Sequence, residues 1–203
     1  RAVGILSLLL ATACGPGRPD VVVERLDVAL TVLVDGSIQV REQLAVRFGD
    51  APVSTFRRRT PVWRHDGVFD VSATMDGASV APGRGAGHLQ VGTGPDLDVQ
   101  WTFAPAAKST HLFHLTYRAL NAVSVSGIRG TVSSLALPAR RAFDVSAANV
   151  TLTLPEAAVL LQDPWVEEAG WDVVRLPHGL TANRTGVSRA ESATVGIEFT
   201  VDR

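Results

Sequence analysis

Residues 24–48, with the sequence ERLDVALTVLVDGSIQVREQLAVRF, decide the fold class of this chain. Their apolar side chains fall almost without exception on even-numbered positions on both sides of Asp35-Gly36-Ser37. A period of two over this length predicts two half-buried strands, and Asp-Gly-Ser is typical of a turn between strands. The apolar positions are Leu26, Val28, Leu30, Val32, Val34, Ile38, Val40, Leu44, Val46 and Phe48.

The same spacing restricts the turn. If Asp35-Gly36 alone formed the loop, Val34 would pair with Ser37, and the apolar face of one strand would lie opposite the polar face of the other. An odd-length loop or a bulge places the apolar side chains of both strands on the same, buried face of the sheet. We therefore expect a register in which Val34 pairs with Ile38.

Glu42 breaks the apolar side of the second strand. It occupies an even position between Val40 and Leu44, where the alternation predicts a buried side chain. Buried carboxylates need a partner, so we predict either an ion pair with an arginine or a bulge that turns the side chain outward. Both structural interpretations are favoured over a catalytic role.

The rest of the chain continues in the same style. Short runs rich in Val and Thr are separated by Gly, Pro and Asp at a spacing of roughly 8–12 residues, which is typical of a β-sandwich. We predict an all-β fold, an antiparallel two-sheet β-sandwich of the immunoglobulin-like or jelly-roll-like kind, with few or no helices apart from the N-terminal signal segment. The further expected strands are 68–75, 88–91, 97–103, 111–117, 121–137 in two runs, 150–154, 159–161, 171–176 and 194–201.

The N-terminal segment indicates export from the cytoplasm. Residues 2–13 are almost wholly apolar and follow one positive charge, but a helix needs about 20 such residues to span a bilayer, so a signal peptide is favoured. The following LATACG sequence resembles a bacterial lipobox, with Cys14 as the lipidated residue. An ordinary secretory signal with an incidental cysteine is the alternative. Because the chain begins at Arg1 without a methionine, we treat its start as incomplete.

These features divide the chain into three parts: a signal peptide at 1–13, a lipidated cysteine with a flexible tether at 14–20, and a single β-sandwich domain at 21–203. The predicted location is the extracytoplasmic face of the cell envelope, held there by lipid. Gly15 after the cysteine favours the outer membrane if the organism has one. Cys14 is the only cysteine, so no intramolecular disulfide can form.

Composition excludes some classes of function. The formal net charge is −1, with 46% hydrophobic and 19% charged residues, so nucleic acid is not an expected partner and the chain is typical of folded globular proteins. His111 and His114 are three apart in an expected strand and therefore point to opposite faces. We predict no metal site and no cofactor.

Two groups of residues are candidates for contact with a ligand or partner. Arg57, Arg58 and Arg59, near Trp63, could grip phospholipid headgroups or an anionic glycan, although a solvated basic loop is favoured. Trp165 and Trp171 lie beside turns and could be exposed, although core positions are favoured. No catalytic residue is predicted.

The order of motifs resembles that of a known family. The chain carries VALTVLVDGS at 28–37 with Glu42, an Arg-x-x-Pro segment at 58–61, VFDVSATMDG at 68–77, FHLTY at 113–117 and VTLTLP at 150–155. Over residues 24–155 this is similar to the extracytoplasmic domain of the domain of unknown function 2207 (DUF2207) family of predicted bacterial membrane proteins. The resemblance implies a β domain outside a membrane and supplies no activity to assign to individual residues.

We therefore predict a non-enzymatic, membrane-anchored module that binds or scaffolds another envelope protein. The alternative is a module that binds or cleaves carbohydrate or cell-wall material through exposed tryptophans and paired carboxylates. The sequence identifies neither the ligand nor the partner.

Overall fold

The structure is a computed structural model that describes residues 20–62 and 67–200. Within these ranges every regular element is a β-strand, which confirms the all-β prediction. The strands are β1 Val21–Val32, β2 Ile38–Phe48, β3 Val53–Pro61, β4 Val68–Met75, β5 Ala78–Ser79, β6 Ala81–Pro82, β7 His88–Thr93, β8 Asp96–Ala106, β9 Ser109–Ala119, β10 Val123–Ser126, β11 Arg129–Leu137, β12 Val145–Thr153, β13 Trp165–Val166, β14 Asp172–Leu176, β15 Gly179–Val187 and β16 Ala193–Thr200.

The strands form two layers. One layer is an eight-stranded sheet, the large sheet, in the order β14-β15-β12-β1-β2-β9-β4-β5. The opposite layer is divided into two four-stranded sheets: the first small sheet, β3-β8-β7-β6, and the second small sheet, β10-β11-β16-β13. The predicted sandwich is thus confirmed, with one of its two layers divided.

Most neighbouring strands are antiparallel, as predicted, but the centre of the large sheet is not. β1 pairs in parallel with β12, so that Leu26 lies opposite Ala148 and Leu30 opposite Leu152. A parallel pair needs a long connection, and here more than one hundred residues separate the two strands. Hydrophobic alternation in each strand carries no information about this pairing.

The β1–β2 hairpin has the predicted dry face in a different register. Val32 pairs with Ile38, so the loop contains five residues, 33–37, and Val34 is 95% exposed. The predicted Val34–Ile38 pair is wrong because the loop closes earlier, with the backbone N–H of Leu33 donating to the carbonyl of Ser37 at 2.8 Å. Because the loop has an odd number of residues, the even-numbered side chains of both strands lie on the same face of the sheet. The other nine predicted apolar positions are buried.

Two other expectations differ from the structure. Residues 159–161 are not a strand, since Leu160 makes only an isolated bridge to Phe199. β15, Gly179–Val187, was not expected, because polar residues interrupt its apolar alternation. It lies between β12 and β14, where its N-terminal half covers the core.

Aromatic side chains join the large sheet to the first small sheet. The ring of Phe113 on β9 lies 4.6 Å from Phe56 on β3 and 5.4 Å from Trp101 on β8, measured between centroids. Phe56 also stacks on Phe143 at 5.6 Å, in the connection between β11 and β12. Such contacts stabilise the packing beyond simple burial and fix the position of β3, which carries the arginines.

No helix in the part of the chain that the structure describes is long and apolar enough to cross a membrane.

Candidate functional site

The strand β3 determines where the three consecutive arginines point. Its burial alternates along VSTFRRRTP, so that Arg58 faces the interior with Phe56 and Thr60, whereas Arg57 and Arg59 face solvent. A strand places successive side chains on opposite faces. The solvated-loop interpretation of this segment is therefore wrong, and Arg58 is only 1% exposed.

Arg58 is held by the carboxylate that interrupts β2. Its Nε donates to Oε2 of Glu42 at 2.5 Å, and both side chains are 1% exposed. This confirms the first of the two interpretations of Glu42, a buried carboxylate paired with an arginine. Arg58 Nη1 also donates to the carbonyl of Arg59 at 3.3 Å, while its buried Nη2 has no hydrogen-bond partner among the described residues.

The two outward arginines bind aspartates of the neighbouring strand β8. Arg57 Nε donates to Asp98 at 2.6 Å, and Arg59 Nε lies 3.0 Å from Asp96. In the register of the two strands Arg59 lies opposite Asp98, so both ion pairs are diagonal. The arginine hydrogen bond lowers the pKa of the Asp98 carboxyl against the opposing effect of its partial burial.

A second arginine segment packs beside β3. Arg141, in the connection between β11 and β12, is 8% exposed and donates to the carbonyls of Pro138, Ser188 and Glu191 at 2.5–2.6 Å. Burial first, and then the nearby positive charge of Arg58, lower the pKa of Arg141 to about 10. The two guanidinium groups, more than eighty positions apart in the sequence, are thus neighbours in the fold.

Together these segments enclose an open cleft of about 460 Å³, which we call the arginine cleft. Its charged lining consists of five arginines and a single carboxylate, Asp96, and Phe143 supplies an aromatic surface. Arg140 stands at its edge with an exposed side chain and a left-handed backbone (φ 60°). The arginines of the cleft are Arg57, Arg58, Arg59, Arg140 and Arg141.

A smaller polar cavity of about 80 Å³ lies on the other side of Glu42, between the large sheet and the second small sheet. Thr60, Tyr117 and Ser134 contribute hydroxyl groups to its wall, and Thr60 Oγ1 is buried without a hydrogen-bond partner in the described structure. Burial, followed by the nearby charge of Glu42, raises the pKa of Tyr117. A water molecule needs about 10–15 Å³ of such space, so this cavity suits water rather than a larger ligand.

The remaining predicted contact residues have different locations. Trp63 and Cys14 lie outside the described residues. Trp165 and Trp171 are both half-buried: Trp165 covers Gly196, where a Cβ would come within 2.3 Å of the indole, and Trp171 packs against the core. Neither one joins the arginine cleft.

The two histidines of β9 point to opposite faces, as predicted. His111 packs against Phe48 and its Nδ1–H donates to the carboxylate of Asp76 at 2.7 Å, while His114 lines a groove on the outer face of the large sheet. In residues 20–62 and 67–200, His, Asp and Glu side chains do not come together in any group of three that could hold a metal ion.

Sequence reasoning missed the contribution of Arg140 and Arg141 to the site. Pro138 and the weak periodicity around it predict a connection, and nothing in that segment indicates proximity to β3. The inward direction of Arg58 was accessible from the sequence, since Phe56, Arg58 and Thr60 share one parity with a large aromatic residue among them.

Solved structures share this fold. A "putative nutrient binding protein" from Legionella pneumophila matches with a TM-score of 0.53 and 11% identity, over 89% of this chain and 67% of that one. An M1 zinc metallopeptidase from Deinococcus radiodurans matches with a TM-score of 0.52 and 16% identity over 87% of this chain, and yeast LTA4 hydrolase with 0.53 and 11% over 90%. The chain spans 42% and 29% of these two enzymes. At such identities the likeness shows the fold alone.

Sequence comparison places the chain more firmly. No curated protein matches it significantly. The profile described as the N-terminal domain of a predicted membrane protein, DUF2207, matches residues 22–202, which extends the resemblance seen in the motifs of 24–155 through β15 and β16. The chain therefore belongs to the DUF2207 family, and nearly all of its sandwich is the N-terminal domain of that family.

Proposed function

We propose that this domain is a non-enzymatic module, held at the extracytoplasmic face of a membrane, that binds another envelope protein. The observation that carries the proposal is the distribution of exposed apolar side chains. Among the described residues nine large hydrophobic side chains are exposed, and six of them lie on segments that strand pairing brings toward one end of the sandwich. This group, which we call the apolar end, consists of Val34, Leu120, Val125, Ile128, Val159 and Leu161.

Strand register brings the first part of this group together. Val34 lies in the β1–β2 loop, and Ala119 of β9 pairs with Ile38 at the base of that loop, so Leu120 follows directly beside it. β10 begins next to the same loop, since a Cβ on Gly36 would lie 4.0 Å from the Cβ of Val123. From there β10 leads to its turn with β11.

The second part reaches the same end through β16. Ile128 lies in the β10–β11 turn, and the next residue, Arg129, pairs with Thr200 at the end of β16. The backbone N–H of Thr200 donates to the carbonyl of Val159 at 2.9 Å. Four connecting loops and the strand β10 thus present the six apolar side chains.

The surroundings of the apolar end favour a protein partner over a lipid surface. Its loops also carry exposed charged groups: Asp35 is paired with Arg118, Asp163 is paired with Arg175, and the carboxylate of Glu156, which has no ion-pair partner in the described structure, would be repelled by anionic lipids. Apolar side chains surrounded by charged ones are typical of protein–protein interfaces.

Membrane attachment is part of the proposal. The family description supports a membrane protein, and lipid on Cys14 would supply the anchor, in the outer membrane of an organism that has one. The mass of the mature N-terminal peptide from the membrane fraction of the native host tests this part. A diacylglyceryl-modified Cys14 is expected, and an unmodified peptide that includes or follows this residue would contradict lipid anchoring.

Photo-crosslinking in living cells of the native host tests the partner. A photoreactive residue at Ile128 or at Val159, in separate full-length proteins, is expected to capture the same protein, and Ile128→Asp in the Val159 probe should abolish capture. The matched control is the same probe at Val174, which is 47% exposed on β14 and lies outside the apolar end. Capture of lipid only, or of different proteins from the two positions, would contradict a specific partner.

A carbohydrate ligand is the second candidate, and one groove supports it. On the outer face of the large sheet, a groove of about 500 Å³ is lined by Asp27, Asn149, Asp172 and Asn183, whose amide and carboxylate groups suit sugar hydroxyls. Trp171 precedes one of these residues. Titration of tryptophan fluorescence with soluble cell-wall fragments tests this role, since no change at millimolar concentrations would contradict it.

A further inference from the structure

The arginine cleft holds more positive charge than its own carboxylates neutralise. Arg57 is paired with Asp98, Arg59 with Asp96, and Arg58 with Glu42. The cleft contains two further arginines, Arg140 and Arg141. Neither one forms an ion pair with a carboxylate of the described residues, although the more distant carboxylates of Asp144 and Glu191 partly offset the charge of Arg141.

Of these two arginines, Arg141 has the larger unfavourable desolvation energy because its side chain is buried. Its three carbonyl acceptors satisfy several N–H groups, but carbonyl oxygens carry no net charge, and its buried Nε has no acceptor in the described part of the chain. Buried charges in proteins are normally paired, because removing an ion from water is expensive. Burial and the like charge of Arg58 lower the pKa of Arg141 to about 10, which is the expected response to this environment.

Arg58 supplies a second unused donor at the same place. It is 1% exposed, lines the cleft, and presents a buried Nη2 that no acceptor among the described side chains and carbonyls reaches. Arg140 adds an exposed guanidinium at the entrance, positioned by a left-handed backbone that a non-glycine residue adopts only at some cost. Three positively charged groups therefore line one open space, and two of them carry a buried N–H without an acceptor.

We propose that the arginine cleft binds a phosphate group, with Arg58 and Arg141 at its base, Arg140 at its entrance, and Arg57 and Arg59 at its rim. Guanidinium groups match phosphate oxygens with parallel N–H donors, and an oxyanion would balance the two arginines that form no ion pair. The volume of about 460 Å³ leaves room for a group attached to the phosphate. The source is thus free phosphate or the phosphate of a larger molecule such as a lipid headgroup. This inference concerns a different surface from the apolar end and does not depend on it.

Isothermal titration of the full chain with inorganic phosphate tests the proposal. Saturable binding is expected, and Arg140→Gln should weaken it about tenfold, which is the usual effect of losing one charge-assisted hydrogen bond. Arg140 is exposed and has no ion-pair partner among the described residues, so the variant should fold. Arg84→Gln is the matched control, since Arg84 is also exposed and unpaired in the described structure but lies beyond the far edge of the first small sheet.

A spectroscopic measurement reports on the buried groups directly. In arginine side-chain NMR spectra, phosphate should shift the Nε–Hε signals of Arg58 and Arg141 with the same saturation as the calorimetric titration. No binding, equal weakening by both variants, or shifts confined to exposed arginines would overturn the proposal. Displacement of phosphate by succinate at equal concentration would also overturn it, because it would identify a carboxylate site.

Vesicle binding distinguishes the two sources of phosphate. Vesicles of phosphatidylcholine with phosphatidic acid present a phosphate monoester at a surface, and pure phosphatidylcholine vesicles are the reference. If the headgroup is the source, the gain from phosphatidic acid should be lost in Arg140→Gln and kept in Arg84→Gln. If phosphate binds in solution but this gain is absent in the unsubstituted chain, the source is free phosphate. Photo-crosslinking at the apolar end is unaffected by either result.

Discussion

Glu42 on β2 and Arg58 on β3 form an ion pair of 2.5 Å in which both side chains are 1% exposed. The pair joins the large sheet to the first small sheet, and it separates the polar cavity around Tyr117 from the arginine cleft. Desolvation makes such a pair a weak source of net stability, but each charge strongly requires the other.

Removal of either partner alone should therefore strongly destabilise the folded protein. Glu42→Leu or Arg58→Leu alone is expected to lower the free energy of unfolding by about 3–5 kcal/mol, because an uncompensated charge is left buried. The double substitution should cost less than either single one, as measured by urea denaturation. Arg57→Leu is the control: its ion pair with Asp98 is 59% exposed on the arginine side, and such surface pairs contribute about 0–1 kcal/mol. Additive losses in the double variant would contradict this account.

Tyr117 should make stability fall at alkaline pH. Burial, and then Glu42, raise its pKa in the native state, so the unfolded chain loses this proton at a lower pH than the native protein. The contribution of Tyr117 to the free energy of unfolding should therefore fall as pH rises above about 10, with a slope approaching 1.4 kcal/mol per pH unit in the difference between the unsubstituted protein and Tyr117→Phe. Tyr117→Phe should remove this component. Arg141, whose lowered pKa acts in the opposite direction, is the same in both proteins.

The same residue offers a direct optical check. Tyr117 is the only tyrosine in the chain, so tyrosinate absorbance reports on it alone. The absorbance should remain that of the neutral phenol above the ordinary tyrosine pKa and should change together with unfolding. Ionisation near pH 10 while the protein is still folded would show that the hydroxyl is accessible to solvent, contrary to its position in the structure.

Gly179 should tolerate no side chain. A Cβ at this position would lie 2.0 Å from the carbonyl oxygen of Leu152, which is backbone of the neighbouring strand β12 and cannot rotate away. Gly179→Ala is expected to lower the free energy of unfolding by at least about 1–3 kcal/mol through this overlap. Gly94→Ala, where nothing lies within 4 Å, should be neutral or slightly stabilising. Equal thermal stability of the two variants would contradict the β12–β15 register.

The hairpin register predicts different effects on stability for two valines that both occupy even-numbered positions. Val32 is 4% exposed and Val34 is 95% exposed. Val32→Ala should cost roughly 1–3 kcal/mol by loss of buried apolar surface, whereas Val34→Ala should leave denaturation unchanged. If Val34→Ala lowered the free energy of unfolding as much as Val32→Ala, the strands would extend further and Val34 would pair with Ile38 across a three-residue loop.

The direction of many side chains followed from alternation alone. A strand has a period of two, so one apolar residue at a known position fixes the facing of its neighbours. This is why nine of the ten even-numbered apolar residues of the hairpin are buried, and why Glu42 was identified as the exception, to be explained either by an arginine partner or by a bulge. It also explains why Arg58 is inward while its two neighbours are not.

The alternation of apolar and polar residues does not predict which strands pair with each other. The pairing of β1 with β12, the division of the second layer into two sheets, and the approach of Arg141 to Arg58 all depend on contacts between segments far apart in the chain. Register inside the hairpin was also undetermined, since loops of three and five residues preserve the same parity. The unpredicted strand β15 is held in place by hydrogen bonds to β12 and β14, although its own sequence has little β pattern.

The sequence by itself determined the all-β class, the inward and outward faces of its principal strands and the membership of the DUF2207 family. These properties are local, or are carried by the order of motifs along the chain. Only the tertiary structure decided that five arginines from two distant segments share one cleft and that six exposed apolar residues share one end. Both surfaces arise from the packing of whole sheets, and neither packing nor pairing is specified by the periodicity of a single strand.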